Sequence, residues 1–370
     1  MCSLIVWTLG SGLLPLLPVY ATQIGAGPAV AGTYLSFSYL ALATGTVFAG
    51  YLSDRLQRRR ALLIAAGVAG IPLIWLMGRA TTVWHLATLT ATVWFLGGTA
   101  LALVSILTGL FAEETERGRA FGILSMTSAL GSLVGGLTTG PIADRWGYAT
   151  LFAALSVFWS LSPLSALLLE DKVVARSRPG DPSAAREKPG FGGSFFLLLL
   201  ASVAMGLALF LGILSRSLVM NDQGFSVAAI SGTAAFGGAV TLPLPPLLGW
   251  LSDRTSRKRL LAACCLAGSV GLLVLAASAS LWHFWVASSL MNVLLYVSSV
   301  GSAMVTDLVP QGSLGRGMSL LTATTWAGGV VGFAGTGYAI ERLGTTSTLV
   351  MGALLPLIAI TLLIPIREAA

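Results

Sequence analysis

The chain has 370 residues, 55% of them hydrophobic and only 9% charged, where a soluble domain carries roughly 25% charged residues. So few charges cannot cover the apolar surface of a water-soluble fold, so lipid must be the solvent for most of the chain. A net charge of +7 and a pI of about 9.7 would suit a nucleic-acid partner, but the placement of the charges along the chain excludes that reading.

A bilayer core of about 30 Å needs about 20 apolar residues per helix. In chain order the apolar runs predict spans near 3–21, 31–52, 61–78, 84–111, 119–140 and 149–169. After a polar stretch come 194–217, 227–250, 260–279, 283–306, 316–337 and 347–365. The first run is read as helix 1 and not as a signal peptide, because no basic stretch precedes it and no convincing small-residue cleavage site follows it. Residues 170–192, EDKVVARSRPGDPSAAREKPGFG, form the longest polar segment. Their Pro, Gly, Ser and charge content predicts a flexible cytoplasmic loop between a bundle at 1–169 and another at 193–370.

With the amino terminus placed in the cytoplasm, seventeen of the 21 basic residues fall on inner loops or at the carboxyl end. Only Arg79, Arg145, Arg216 and Arg342 fall on the other side. This positive-inside bias predicts that both termini are cytoplasmic and accounts for the high pI without nucleic acid. The three cysteines, Cys2, Cys264 and Cys265, lie in apolar runs and suggest neither disulfides nor a metal site.

The chain repeats itself. Residues 50–60 read GYLSDRLQRRR and residues 249–259 read GWLSDRTSRKR, which maps Gly50 to Gly249 and Asp54 to Asp253. Further on, Arg119 maps to Arg316, Gly131 to Gly328, Gly135 to Gly332, Gly140 to Gly337, Asp144 to Glu341 and Arg145 to Arg342. A parallel duplication of this kind is expected of a transporter whose site lies between two six-helix halves.

The paired loops resemble the loop 2–3 and loop 8–9 signature of the major facilitator superfamily, a Gly-x-x-x-Asp-Arg core followed by basic residues. ETERGRAFG is similar to that family's loop 4–5, and GPIADRWGYATLF to its helix 5–6 connection. The resemblance covers essentially the whole chain. It implies an all-α membrane fold of two six-helix bundles related by a pseudo-twofold axis, and solute transport by alternating access. It also implies that Asp54 contacts the N-terminus of helix 11 near Gly317, and Asp253 that of helix 5 near Gly118, when the cytoplasmic side is shut. Arg55, Arg58, Arg59, Arg254, Arg257 and Lys258 would join them in gating, besides holding the topology. There are departures. Gln57 and Ser256 stand where the family usually has Gly, which predicts a less sharp turn. Gly136 stands where Pro belongs in the helix 5 antiporter signature, and Trp94 lies near the place of an Arg often found midway in helix 4.

The resemblance further makes helices 1, 4, 7 and 10 the cavity wall. Candidate lining residues are Trp7, Ser11, Tyr20 and Gln23, then Trp94, and then Asn292 and Tyr296, which one helical turn would place on a shared face. Thr322, Thr325 and Trp326 on helix 11 complete the set. The alternative for each is an interhelical hydrogen bond or a lipid-facing aromatic, while the set together suggests a polar-aromatic pocket. Gly131 and Gly135, and Gly328 and Gly332, are spaced to give flat faces for close helix packing. Arg216 is an ionisable residue inside a span and hence a candidate substrate contact, with snorkelling or pairing to Asp222 as the alternatives. His85 and His283 each follow a Trp at a helix start and read as interfacial belt residues.

All 14 acidic residues fall at helix ends or in loops. Relays and cation sites in membranes normally use a buried acid or His, so a neutral or anionic substrate fits better than a permanent cation. No nucleotide loop, metal cluster or nucleophile–base pair is present, so no catalytic residue, metal or cofactor is expected. The expected partners are a small-molecule substrate, the bilayer and a coupled proton or other ion, with the chain acting as a monomer. Efflux of a drug-like or metabolic compound leads; uptake of a small organic anion or nutrient, or a non-transporting receptor or scaffold, are the alternatives.

Overall fold

The computed structural model describes residues 1–111, 117–169, 191–252, 254–309 and 314–366. All the regular structure in them is helical. The first half contains α1 (Cys2–Leu13), α2 (Leu17–Gln23), α3 (Pro28–Leu56), α4 (Arg59–Met77), α5 (Val83–Phe111) and α6 (Arg117–Ala166). The second contains α7 (Gly193–Asp222), α8 (Val227–Thr241), α9 (Leu244–Ser252), α10 (Arg257–Ala276), α11 (Leu281–Asn292), α12 (Val297–Leu308), α13 (Leu314–Leu343), α14 (Thr345–Gly352) and α15 (Leu354–Leu363). Residues 170–190, most of the expected central loop, lie outside the described residues.

Among the described residues, eight helices are each long and apolar enough to cross a bilayer, and the α1–α2 pair, bent by 46°, adds a ninth. The 41-residue window Met126–Ala166 is twice what one crossing requires. It turns at Gly147, whose φ of 77° and ψ of 167° break a helix that otherwise runs on. The run expected at 227–250 is divided into α8 and α9 at Leu242–Pro243, where proline removes a helix-ladder donor. The run expected at 283–306 is also interrupted, since a 3-10 turn over Val293–Tyr296 separates α11 from α12. Pro15 and Pro18 account for the bend in the first span in the same way.

The halves meet along two crossing pairs, α3 on α13 and α6 on α8, with a smaller contact of α2 on α7. Within the halves α1 packs on α6, and α7 packs on α13. Glycines set these distances. A Cβ at Gly135 would come within 2.3 Å of the Thr8 carbonyl oxygen, and one at Gly131 within 2.7 Å of Trp7 Cβ. At the repeat-related positions Gly328 lies against Gly206, and Gly332 against Phe210. Lipid is as apolar as these side chains, so close packing rather than exclusion from water holds such helices together.

The ends differ. One, the basic end, carries the loops around Arg55–Arg60 and Arg254–Arg259. At the other, the far end, the chain turns at Gly25, Gly147, Gly224 and Gly344, all with positive φ. The tightest recorded approaches between halves lie from mid-depth to the far end: Gly32 on Phe333 and Gly337, Gly136 on Ala235, and Gly140 on Val227 and Ala228. Towards the basic end, Thr44, Val47 and Tyr51 of α3 and Ser319, Leu320 and Thr322 of α13 are exposed.

Candidate functional site

Arg216 sits in the outer third of α7 and is 3% exposed. It does not snorkel. Its Nη1 donates to the Ser288 hydroxyl of α11 at 2.6 Å, while its Nε, like the neighbouring Ser215 hydroxyl, is buried with no hydrogen-bond partner. Asp222, the partner considered from sequence, is exposed at the end of α7 and forms no ion pair with it among the described residues. A guanidinium held in low dielectric by one neutral hydroxyl is under-satisfied, and an acceptor placed beside it would gain strongly.

Asn292 ends α11 one turn beyond Ser288. The α8 backbone comes so close at Gly237 that a Cβ there would lie 2.5 Å from Ser288 Oγ and 2.8 Å from Asn292 Nδ2. Arg216, Ser288 and Asn292 thus bring α7, α8 and α11 to one polar point. The shared face expected for Asn292 and Tyr296 does not follow from this backbone. The step from Asn292 to Tyr296 runs through the 3-10 turn Val293–Tyr296, and at three residues per turn the fourth position rotates off the face. The Tyr296 side chain lies outside the described residues, as does that of Thr325.

The other candidates are dispersed. Tyr20 belongs to an aromatic group within the first half. It stacks on Tyr148 at 4.4 Å and donates its hydroxyl to the Met77 carbonyl at 3.3 Å. Gln23 is exposed at the far end. Trp94 is buried in the apolar core of the first half. Trp7 and Ser11 are part-buried, and Trp7 backs onto Gly131. Trp326 reaches the seam between the halves. Its ring lies 6.0 Å from that of Tyr39 on α3. Tyr39 in turn packs edge-on to Phe210 at 5.0 Å and Phe333 at 5.1 Å. Tyr39, Phe210 and Phe333 were absent from the sequence candidates. One chain does not show which aromatics of separate helices will face each other, and no motif marks these three.

At the basic end, the Asp54 side chain and the whole of Asp253 lie outside the described residues, and Gly118 belongs to the first turn of α6. Around them, Arg55 donates to the Tyr51 hydroxyl at 3.2 Å. Arg59 is buried and donates Nε to Ser53 Oγ at 2.7 Å, while Arg254 lies 4.2 Å from the Trp250 ring centre. Arg257 bridges to α12, bonding the Ala303 carbonyl at 2.8 Å and pairing with Asp307. Lys258 donates to the Ile364 and Ile366 carbonyls beyond α15. Gly317 packs on Val305 and Val309 of its own half.

The two repeat turns solve the missing glycine differently. Gln57 takes the left-handed conformation itself, with φ 52° and ψ 16°. The turn therefore keeps the sharpness that the absent glycine had put in question, at the cost a Cβ pays there. Ser256, with φ −59°, instead becomes the N-cap of α10 and accepts from the Arg259 amide.

The family model described as Major Facilitator Superfamily matches residues 1–244 and again 196–370, so the whole chain is covered. Over 266 residues the chain is 30% identical to Multidrug resistance protein MdtG of Klebsiella pneumoniae (strain 342), covering 67% of this chain and 63% of that protein. A second MdtG, from Escherichia coli (strain K12 / DH10B), is 30% identical over 275 residues, 67% of this chain and 64% of the relative. The matched stretch thus spans less than two thirds of either relative. Among solved structures, the nucleoside transporter NupG (D323A mutant) superposes with a TM-score of 0.82 over 99% of this chain and 98% of its own, at 12% identity. A POT family transporter in complex with 5-aminolevulinic acid gives 0.78 over 99% and 93%, at 14% identity. At such identities these two likenesses speak for the fold alone. With the repeated Asp-Arg loops, the paired crossings and the family match in agreement, this chain belongs to the Major Facilitator Superfamily.

Proposed function

We propose that the chain is a secondary active transporter that moves a small organic solute across the cell membrane by alternating access, exporting a drug-like or metabolic compound. The observation that carries this reading is the arrangement of the seam. Two repeat-related helix pairs cross between the halves, glycine-smooth and closely packed from mid-depth to the far end, with α3 and α13 exposed towards the basic end. Two bundles joined in this way can rock without unpacking. The aromatic group of Tyr39 and Trp326 at that seam and the likeness to multidrug resistance proteins favour export.

In this proposal residues 1–169 and 193–370 are the rocking units and 170–192 their cytoplasmic tether. Both termini are cytoplasmic, and a monomer in the plasma or inner membrane is the working unit, with a proton or other ion as the coupling partner. The charge asymmetry supports that orientation. Asp54 and Asp253, with Arg55, Arg58, Arg59, Arg254, Arg257 and Lys258, latch the basic end when it closes. Arg216, Ser288 and Asn292 contribute a polar contact for substrate, with Trp326 lining the seam. A second reading, transport of a small organic anion, is favoured by the one observation that Arg216 is a buried cation without a carboxylate partner among the described residues.

The test is flux in proteoliposomes against cationic, neutral and anionic dyes and metabolites, preceded by a thermal-shift screen, since a ligand that favours the folded state raises its apparent stability. Saturable flux of lipophilic dyes supports export of drug-like compounds. Flux confined to anions and lost in Arg216→Ala supports the second reading. Specific binding without flux would leave a receptor and overturn transport.

A further inference from the structure

The repeat carries a second pair of carboxylates that the gating motifs do not use. Asp144 on α6 reaches across to the start of α8, where its two oxygens accept from the Val227 amide at 2.9 Å and the Ala228 amide at 2.7 Å. Ser226, the N-cap, accepts from the third amide, that of Ala229, at 3.1 Å. The first three amides of a helix have no partner within it. Here two of the three are satisfied by the opposite half of the molecule.

The repeat-related position does the same in reverse. Glu341 on α13 reaches to the start of α3 and accepts from the Ala29 amide at 3.3 Å. The correspondence is residue for residue. Asp144 maps to Glu341 and Ala228 to Ala29. Gly147 and Gly344, three residues after each carboxylate, share one geometry, with φ of 77° and 79°. Gly25 and Gly224, with φ of 93° and 77°, set up the two receiving helix starts. Gly140 and Gly337, one turn before each carboxylate, admit the opposing backbone: a Cβ would lie 2.7 Å from Ala228 Cα at the first and 2.4 Å from the Pro28 carbonyl oxygen at the second. Arg145 does not neutralise its neighbour, since its guanidinium lies over the Trp146 ring.

We infer that Asp144 and Glu341 are positioning residues of the transport cycle, a twofold pair of latches that hold the far end shut by capping helices of the opposite half. The inference rests on the alternating-access reading above. A carboxylate at a helix start interacts favourably with the amides and the helix dipole, and when the far end opens these bonds are exchanged for water. The latches are unequal. Val227 offers an amide at the first helical position of α8, whereas Pro28 at the matching position of α3 has none. The Asp144 latch therefore has two donors and the Glu341 latch one.

The test is a pair of distance measurements by spin labelling in reconstituted full-length protein. Far-end labels go at the exposed Thr81 and Ala279, and basic-end labels at the exposed Leu168 and Thr255; the native Cys2, Cys264 and Cys265 are buried. Asp144→Ala is expected to raise the ratio of far-end-open to far-end-closed molecules by about two- to fivefold. Glu341→Ala should raise it by less, the double variant by roughly the product, and Asp144→Asn by an intermediate factor, with the basic-end distance shortening in step. Pro28→Ala restores the missing donor and should lower the ratio, which keeps the test decisive if an alanine variant folds poorly. Two far-end distances in the wild type whose ratio no variant moves would overturn the latch alone. One far-end distance in wild type and in every variant would overturn the rocking motion itself.

Discussion

The Arg216 guanidinium donates to the Ser288 hydroxyl at 2.6 Å, and this single bond joins α7 to α11 at a point where Nε is left without a partner. Burying a charge with so little compensation opposes stability. Sites that break a local rule in this way are where function is expected. Arg216→Met keeps an unbranched apolar stem and removes the guanidinium and its charge. The variant is expected to melt a few degrees higher in detergent while transport falls at least about tenfold, the worth of one charge-assisted hydrogen bond. Parallel loss of both, or loss of neither, would reduce Arg216 to a packing residue.

The glycines of the packed seams should separate sharply from those facing open space. Gly135→Ala drives a Cβ to 2.3 Å from a backbone oxygen of α1; overpacking of this kind costs about 1–3 kcal/mol. Gly335, in α13, has nothing within 4 Å of where its Cβ would be. Gly335→Ala is expected to stabilise by about 0.5–1 kcal/mol through the helix backbone alone. Thermal melting of the two variants beside wild type checks the contrast.

The repeat turns predict opposite responses to the residue that the family usually has there. Gln57→Gly relieves a left-handed backbone at φ 52° and should raise stability by up to about 1 kcal/mol. Ser256→Ala removes the hydroxyl that accepts from Arg259 and should cost about 1 kcal/mol. If Gln57→Gly lowers the melting temperature, side-chain bonds of Gln57 outweigh the backbone cost.

Arg257 and Asp307 tie α10 to α12 with side chains 24% and 33% exposed. Partly solvated pairs are worth about 1 kcal/mol or less, so a double-mutant cycle with Arg257→Gln and Asp307→Asn should give coupling in that range. Asp307→Asn is also expected to retain proton-coupled flux if coupling is present, because the carboxylate is occupied by Arg257 near the basic end. Proton flux in proteoliposomes that vanishes in Asp307→Asn would make this residue the relay and reverse the argument for a neutral or anionic substrate.

Much of the architecture was legible before any coordinates. The apolar runs located the helical stretches because a bilayer imposes a length on every crossing, and the repeat was visible because duplication preserves spacing. The interruptions were not. Pro243 and the 3-10 turn at Val293–Tyr296 break runs whose hydropathy is continuous, since hydropathy reports solvent and not backbone geometry. The candidate site was legible only in part. Arg216 stood out as a charge in an apolar run, but Ser288 is one of many serines, and Tyr39, Phe210 and Phe333 carried no mark at all. Tyr20 and Trp94, polar-aromatic residues on the expected lining helices, pack into the first bundle, because a helix position does not state which face is buried.

The sequence by itself determined that this protein lives in lipid, that it is built twice over, and that Asp-Arg loops recur at equivalent places. Composition, span length and repeat spacing are local or periodic properties, and a chain displays them unfolded. Only the tertiary structure decided which helix ends meet. Asp144 and Ala228 are 84 residues apart and Glu341 and Ala29 are 312 apart. Their bonds exist because the two halves cross so closely at Gly140 and Gly337 that a carboxylate on one can reach the open helix start of the other.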